Sequence, residues 1–442
     1  MSNPTSLRTG RLGRQLIHGA IAGAGFQFIG MGLRLANQAI LAWLLGPAGL
    51  GLYALSLSIA LLASVPAGAG LPQLLHRDLA SAHARSDFRV MRGLLFFAST
   101  FVLASSLAMV LAGMVLLHLY EIASGGEPYF SVLAGLLLVP ILSFNAIRSA
   151  ALMALRRFYS AQYLTQVAEP AAMLVAVGAA YVWFPEHITP RGALIFYAMA
   201  AGLSCAIGSF VLYRAVPKEV RAAAPLYHLR AWTRGILPLS LNAVSGTVNN
   251  VLGSLFLGAF STPEAVGLFR IAQSGAHLAT FGTTALISIL QPEVSRLWSS
   301  GDKTRLARLL TMAARAAFLI AFTTSVVFAV FGEKLIAEIY GEAFRGAAMP
   351  LVLLSVGITF AAALGFPAVL LEMTHYAHML TRVMAALVLG NIVTTMFLTY
   401  NFGLGGTAIA GAGFFVIQHL ALGAVARRRT KILATVFSSN QT

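Results

Sequence analysis

The stretch that decides the fold is residues 17–45, which read IHGAIAGAGFQFIGMGLRLANQAILAWLL. About 20 apolar residues in a helix cross the hydrocarbon core of a bilayer, so this segment is long enough to span a membrane. It contains a single charged residue, Arg34. A charged side chain at membrane depth costs roughly 2.5–3.5 kcal/mol on insertion scales and commonly faces a bundle interior or a watery cavity. The stretch therefore predicts a membrane-spanning helix that carries a functional cation.

The composition extends this prediction to the whole chain. Of the 442 residues, 58% are hydrophobic and only 10% are charged, and the mean hydropathy is +0.81. Soluble domains carry about 25% charged residues, so the composition indicates an all-α polytopic membrane protein. The net charge of +16 first suggests nucleic-acid binding. That function is excluded because the basic residues form short clusters between apolar spans, where they act as topology signals and contact anionic lipids.

The sequence predicts twelve transmembrane helices. Basic residues cluster in alternate loops and at both ends of the chain, whereas the remaining loops are richer in Glu. Since basic loops stay on the cytoplasmic side, this alternation predicts that both termini are cytoplasmic. The predicted spans are residues 17–45, 49–75, 93–118, 129–154, 159–184, 192–215, 235–259, 265–291, 309–331, 348–371, 376–400 and 404–426.

A weak internal repeat divides the predicted spans into two sets of six. Residues 45–53 are echoed by residues 257–269, and residues 86–95 by residues 301–310, at an offset of about 212–216 residues. Six spans return the chain to the same side of the membrane, so the repeats are expected to be parallel. We therefore predict an N-terminal lobe at 1–216, a basic cytoplasmic inter-lobe loop at 217–234 and a C-terminal lobe at 235–442.

Three arginines within apolar spans are candidates for binding an anion: Arg34, Arg148 and Arg270. Arg34 lies 11 residues before the end of its predicted span, or about 16 Å by helix rise, which is too deep for easy snorkelling. A structural ion pair is the alternative for Arg34, and snorkelling to the interface is the alternative for the other two. Arginine suits phosphate because its planar guanidinium binds it bidentately and stays charged.

Other polar residues within the spans complete the candidate site. Glu169 precedes Pro170 near the middle of its span; it either carries a coupling ion such as a proton or forms an ion pair with Arg34 or Arg148. Asparagines in the first and seventh spans predict a polar face turned to water or sugar. These are Asn37, Asn242, Asn249 and Asn250.

The sequence offers no catalytic arrangement. It contains neither a phosphate-binding P-loop nor a nucleophile elbow, so we predict neither an ATPase nor a hydrolase. His375 and His378 are spaced for one helix face, but a polar cytoplasmic surface explains them as well as a metal does. No metal site and no cofactor are predicted, and coupling to a proton gradient, a sodium gradient or the membrane potential stays open.

Residues 45–53, followed by Gly70-Leu71-Pro72 and Arg77, resemble the start of polysaccharide-export flippases. These include the O-antigen (Wzx-type) transporters of the multidrug/oligosaccharidyl-lipid/polysaccharide superfamily. The resemblance implies two six-helix lobes that form a V around a central cavity, as in the multidrug (MATE) transporters of the superfamily. It also implies alternating access for a polyprenyl-diphosphate-linked oligosaccharide. The fourteen-span lipid II flippases are a poorer match, since they have two extra spans.

The resemblance implies further partners and leaves competing functions. A lipid-linked glycan transporter serves assembly of O-antigen lipopolysaccharide, exopolysaccharide or capsule, beside a polysaccharide polymerase and glycosyltransferases. The alternatives are an ion-coupled multidrug exporter of the same superfamily and a non-transporting membrane component of a polysaccharide synthesis complex. Cationic drugs would favour carboxylates in the cavity, whereas the candidates here are mostly arginine. A membrane glycosyltransferase or polymerase is disfavoured because every predicted outer loop is short.

Overall fold

The computed structural model describes residues 4–68, 70–124, 129–184, 186, 188–432 and 434–438. Within these ranges the chain is helical and contains no strand. The prediction of an all-α protein is therefore confirmed for the described chain.

The described helices, in chain order, vary greatly in length. Two π-helical turns lie at Leu75–Leu79 and Leu164–Ala168, and a 3-10 turn lies at Glu342–Ala347. The α-helices are α1 (Pro4–Gly68), α2 (Leu71–Leu74), α3 (Ala80–Ala84), α4 (Phe88–Ser124), α5 (Tyr129–Leu136), α6 (Leu138–Ala154), α7 (Phe158–Tyr163), α8 (Glu169–Trp183), α9 (Pro190–Ala215), α10 (Lys218–Ala222), α11 (Leu229–Phe260), α12 (Pro263–Ser299), α13 (Lys303–Tyr340), α14 (Ala348–Ala363), α15 (Pro367–Glu372) and α16 (Ala377–Thr430).

Eight helical segments of the described chain are long and apolar enough to cross a membrane. Two of them, in α1 and α16, extend over 44 and 54 residues, more than twice the roughly 20 residues that one crossing needs. Each is interrupted by a glycine with positive φ, Gly46 at 65° and Gly403 at 54°. The multi-pass membrane character is thus confirmed, while the number of twelve spans and the cytoplasmic position of the termini stay predictions.

One predicted span is broken where the sequence suggests continuity. The span at 348–371 is divided because α14 ends at Ala363 and α15 begins at Pro367. Between them Gly365 has φ of 82°, and a Cβ built there would lie 2.2 Å from the carbonyl oxygen of Ala434. The residues around the break are apolar, so hydropathy alone does not reveal it.

The chain divides into two compact units. Unit 1 comprises Met1–Asn37 and Ala63–Ser240, and unit 2 comprises Gln38–Leu62 and Leu241–Thr442. The middle of α1, with its break at Gly46, therefore belongs to unit 2. The lobe boundaries derived from the sequence stay a prediction.

In unit 1, the segment predicted as an inter-lobe loop is packed against α4. Arg92 Nη1 donates hydrogen bonds of 2.6 Å to the carbonyl oxygens of Arg221 and Ala223. The Leu226 amide donates to the carbonyl of Arg89 at 3.0 Å. Trp232 is only 2% exposed. These contacts hold the segment against α4 within unit 1.

In unit 2, α1 and the start of α12 make a reciprocal contact between glycines. A Cβ on Gly51 would lie 1.7 Å from the Pro263 carbonyl oxygen, and a Cβ on Gly267 would lie 2.1 Å from the Pro47 carbonyl oxygen. Backbone can approach backbone this closely only where the side chain is absent. The paired residues have the same spacing in both repeats, Pro47 to Gly51 and Pro263 to Gly267. This contact supports the internal repeat read from the sequence.

Candidate functional site

Arg34 lies on α1 in unit 1, where α1 meets the π-helical turn that precedes α8. Its Nη2 donates a hydrogen bond of 2.5 Å to Oε1 of Gln166. The helices approach closely at Gly30, where a Cβ would lie 2.1 Å from the carbonyl oxygen of Gln166. Arg34 itself is exposed, and no carboxylate of the described chain lies within ion-pair distance of it. The structure thus holds Arg34 by a neutral amide and leaves its charge available to a ligand.

The π-helical turn has a local cause in the sequence. Pro170 has no N–H to donate to the carbonyl of residue 166, so the regular α-helical ladder cannot pass through it. The backbone shifts to the wider π spacing instead, and the Glu169 amide donates to the carbonyl of Leu164. Asn37, which is 9% exposed, donates from Nδ2 to the Pro170 carbonyl oxygen at 2.8 Å. Asn37 therefore stabilises the interrupted helix and does not present its amide nitrogen to solvent.

Glu169 begins α8 immediately after this turn. The hydroxyl of Tyr197 on α9 donates to its Oε1 at 3.1 Å, and the carboxyl group is half-buried. Glu169 interacts electrostatically with the guanidinium groups of both Arg34 and Arg148. The sequence left open whether Glu169 binds an ion or balances an arginine. The structure brings it into the field of two arginines without a direct ion pair within the described chain.

Arg148 lies in a different environment, on α6 against α9. It is 4% exposed, and its Nη1 donates to the carbonyl oxygen of Ser204. Gly208 makes room for it, because a Cβ there would lie 1.9 Å from Nη1. Within the described chain, Nε and Nη2 have no hydrogen-bond partner. Arg148 therefore contributes positive charge from inside the unit and is closed to direct contact with a large ligand in this conformation.

A cavity of about 300 Å³ adjoins Arg148 between α4, α6 and α9. Apart from Arg148, its wall is largely apolar and includes Leu95, Phe144 and Leu212, with Ser99, Ser209 and Tyr213 as polar exceptions.

Arg270 lies on α12 in unit 2 and is half-buried. Its Nη1 donates to Oε1 of Gln273 at 3.5 Å, while its carbonyl oxygen accepts from Nε2 of Gln38 at 3.1 Å. Gln273 in turn donates from Nε2 to the Asn250 carbonyl oxygen at 3.0 Å. Of the three candidate arginines, Arg34 and Arg148 share unit 1, whereas Arg270 belongs to unit 2.

A second cavity, of about 260 Å³, lies within unit 2, and its wall combines apolar side chains with polar ones but includes no Asp, Glu, Lys or Arg. Asn391 donates from Nδ2 to Oδ1 of Asn249 at 2.8 Å and accepts from Thr395 at 3.1 Å. The side chain of Asn242 lies outside the described residues. The polar side chains that line the cavity are Asn249, Asn250, Gln273, His277, Asn391, Thr395, Thr407 and Gln418.

Several of these cavity residues were missed from the sequence. Asn391, Thr395 and Thr399 recur every four residues, the spacing of a single helix face. That periodicity could have identified a polar helix face, but the many apolar residues of the surrounding span make it hard to see. For metals, the described residues contain no group of three or more His, Cys, Asp or Glu side chains that could hold an ion.

The chain resembles known proteins both in sequence and in fold. The sequence model of the family described as "Polysaccharide biosynthesis protein" matches residues 40–349. No curated protein matches the sequence.

Solved structures resemble nearly the whole chain at low sequence identity. A multidrug resistance MATE family transporter of the MOP superfamily, inward-facing, has a TM-score of 0.70 at 15% identity, covering 94% of this chain and 98% of that chain. The lipid II flippase MurJ, in an inward closed conformation, has a TM-score of 0.72 at 13% identity, covering 92% and 87%. A mutant of the Vibrio cholerae MATE transporter VcmN has a TM-score of 0.60 at 13% identity, covering 96% and 98%. The chain shares the fold of these solved transporters, and it belongs to the polysaccharide biosynthesis protein family.

Proposed function

We propose that the protein is a flippase that moves a polyprenyl-diphosphate-linked oligosaccharide from the cytoplasmic to the outer leaflet of the bacterial inner membrane. It does so by alternating access, for assembly of O-antigen, exopolysaccharide or capsule. The observation that carries the proposal is Arg34, an exposed guanidinium on an apolar helix that is held by the amide of Gln166. Twelve spans in two parallel lobes, with both termini cytoplasmic, form the frame of this transporter.

The substrate's diphosphate supplies the anion that Arg34 lacks. Charge-assisted hydrogen bonds between guanidinium and phosphate are stronger than neutral ones and fix geometry when bidentate. Arg148 adds positive potential from its buried position on α6, within the same unit as Arg34. The side-chain amides of Asn249 and Asn250 can form hydrogen bonds with the hydroxyl groups of the sugar.

Glu169 is proposed as the coupling residue. Its carboxylate interacts with Arg34 and Arg148, so ionised Glu169 lowers the positive potential at the site and protonated Glu169 restores it. Proton binding and diphosphate binding then favour each other, which links transport to a proton gradient. Because coupling between two ligands is reciprocal, substrate binding would also favour protonation of Glu169.

The decisive experiment replaces Arg34 with Ala and, separately, with Lys, in a strain that lacks the native gene. We expect Arg34→Ala to abolish surface polysaccharide at normal protein level, and Arg34→Lys to restore part of it because charge returns without the bidentate geometry. Arg308→Ala is the matched control, since Arg308 is also an exposed arginine. Normal polysaccharide with both Arg34 variants would overturn the assignment.

Multidrug export is the second candidate function, favoured by the fold shared with a MATE transporter at a TM-score of 0.70. It predicts that deleting the gene lowers the inhibitory concentration of cationic drugs and leaves surface polysaccharide unchanged. A non-transporting role beside the polymerase and glycosyltransferases predicts that polysaccharide requires the protein but tolerates loss of Arg34. The same strain set separates all three functions.

A further inference from the structure

The two ends of α16 meet around a groove of about 260 Å³. The first end contributes Met379, Arg382 and Val383, and the last turns contribute Val425, Arg428 and Arg429. All six residues belong to unit 2. The groove is separate from the polar cavity around Asn249 and Asn391.

Both ends present the same arrangement of side chains. Met379, Arg382 and Val383 are spaced i, i+3 and i+4, and so are Val425, Arg428 and Arg429. Residues at this spacing share one helix face. Each face therefore combines an apolar floor with a cationic edge, and the two faces line one groove.

The three arginines lack an acidic partner. Each is exposed, and none forms an ion pair in the part of the chain that the structure describes. Two exposed arginines elsewhere in unit 2 do have carboxylates: Arg296 lies 2.6 Å from Glu293, and Arg345 lies 2.6 Å from Glu342. Exposed Arg308 and Arg315, like the groove arginines, form no ion pair within the described residues. Three arginines that line one groove without a carboxylate offer positive charge to an anion from outside the chain.

Helix electrostatics explain only part of this cluster. Arg428 and Arg429 occupy the C-terminal turn of α16, where a cation is stabilised by the helix dipole. Arg382 is the sixth residue of the same helix, beyond its first turn, so the dipole does not stabilise this cation. Its place at the groove is therefore better explained by a ligand that both ends share.

We propose that this groove binds an anionic glycerophospholipid, with its phosphate on Arg382, Arg428 and Arg429. The methylene and methyl groups of Met379, Val383 and Val425 contact the glycerol region and the start of the acyl chains. Arginine clusters next to membrane helices attract anionic lipids, each residue contributing on the order of a fivefold gain in binding near the surface. The apolar floor distinguishes this groove from a site for free phosphate.

The test measures lipid binding by native mass spectrometry of the full chain purified in detergent. The probes are dioleoyl phosphatidylglycerol, dioleoyl phosphatidylcholine, inorganic phosphate and a polyprenyl diphosphate. We expect the wild type to retain phosphatidylglycerol at least about tenfold more tightly than phosphatidylcholine, on the scale of lipid attraction by clustered arginines. The triple variant R382Q/R428Q/R429Q should lose this preference, and R382K/R428K/R429K should keep part of it because the charge remains.

The matched control is R85Q/R89Q/R308Q, which removes three exposed arginines from elsewhere in the chain. If both glutamine variants lost the preference for phosphatidylglycerol equally, general electrostatic attraction would explain the binding, and the proposal would be overturned. The proposal would also be overturned if R382Q/R428Q/R429Q eluted as a monodisperse species and kept the wild-type lipid preference. Retention of inorganic phosphate, or of the polyprenyl diphosphate alone, through these three arginines would also overturn it. Since binding is measured without transport, the result is independent of the flippase assignment.

Discussion

The two units differ in the polar side chains that they bring together. Unit 1 gathers charge: Arg34, Arg148 and Glu169 interact across α1, α6 and α8. Unit 2 gathers neutral polarity, where Asn249, Asn391 and Thr395 form a hydrogen-bonded chain beside a cavity. The two repeats therefore differ in the charge of these polar side chains. Charged side chains are thus brought together in unit 1, and amide and hydroxyl side chains in unit 2.

The largest expected effect comes from breaking the contact that positions the charged face. Gly30→Leu places side-chain atoms where the Gln166 carbonyl lies, because even a Cβ would be 2.1 Å from that oxygen. Overpacking commonly costs about 1–3 kcal/mol, and a clash with backbone belongs at the upper end. We expect a large fall in Tm and in folded yield by size-exclusion chromatography. Gly32→Leu is the control on the same helix, since a Cβ at Gly32 meets nothing within 4 Å. Equal losses would show that the close approach at Gly30 is unimportant.

A second prediction removes the charge balance of unit 1 while preserving shape. Glu169→Gln should bind a polyprenyl-diphosphate glycan several-fold more tightly at pH 8, because a negative charge beside two arginines is lost. Wild-type binding should strengthen as pH falls and Glu169 is protonated, whereas the variant should show a flat profile. Binding to the purified protein, measured across the pH range in which it stays folded, checks this. Glu342→Gln, at an exposed ion pair with Arg345, should keep the wild-type profile. A pH-dependent Glu169→Gln would remove the coupling role.

The corresponding change in unit 2 should act on stability more than on charge. Asn391→Ala leaves Oδ1 of Asn249 and the hydroxyl of Thr395 without their partner. An unsatisfied buried polar group costs about 1–3 kcal/mol, so the Tm should fall by several degrees while the pH profile of binding is unchanged. Asn401→Ala is the control, because exposed Asn401 bonds only to the carbonyl of Phe397 on the same helix. A changed pH profile in Asn391→Ala would contradict the division between charged and neutral units.

The smallest effect is expected at the hydroxyl that contacts Glu169. Tyr197→Phe removes the 3.1 Å hydrogen bond to Oε1, and a hydrogen bond to a charged group contributes about 1.5–3 kcal/mol in favourable cases. We expect a loss at or below the low end of this range, because Glu169 is only half-buried. Tyr181→Phe is the matched control, since Tyr181 is 61% exposed. Thermal unfolding in detergent compares the two variants. Greater loss in Tyr181→Phe would show that the Glu169 contact is not stabilising.

Hydropathy and loop charge predicted the helical membrane architecture because both depend only on residues that are close together in the sequence. The sequence also identified Arg34 and Glu169 as unusual, since an ionisable group in an apolar run is visible without a structure. It did not reveal that Asn37 serves the carbonyl of Pro170, because that pairing joins residues 133 positions apart. Nor did it separate buried Arg148 from exposed Arg34, because burial depends on how α6 and α9 meet. The break at Gly365 was missed since its conformation, not its hydropathy, interrupts the span.

The reciprocal contact of Gly51 with Pro263 and of Gly267 with Pro47 has the form of an isologous interface. In a twofold-symmetric homodimer, residue i of one subunit contacts residue j of the other, and j contacts i in return. Here both partners lie on one polypeptide, at matching positions of the two repeats. In a homodimer with this contact, one substitution at the glycine would change both sides of it at once. In this chain Gly51 and Gly267 are separate positions, so each side of the contact can be changed alone.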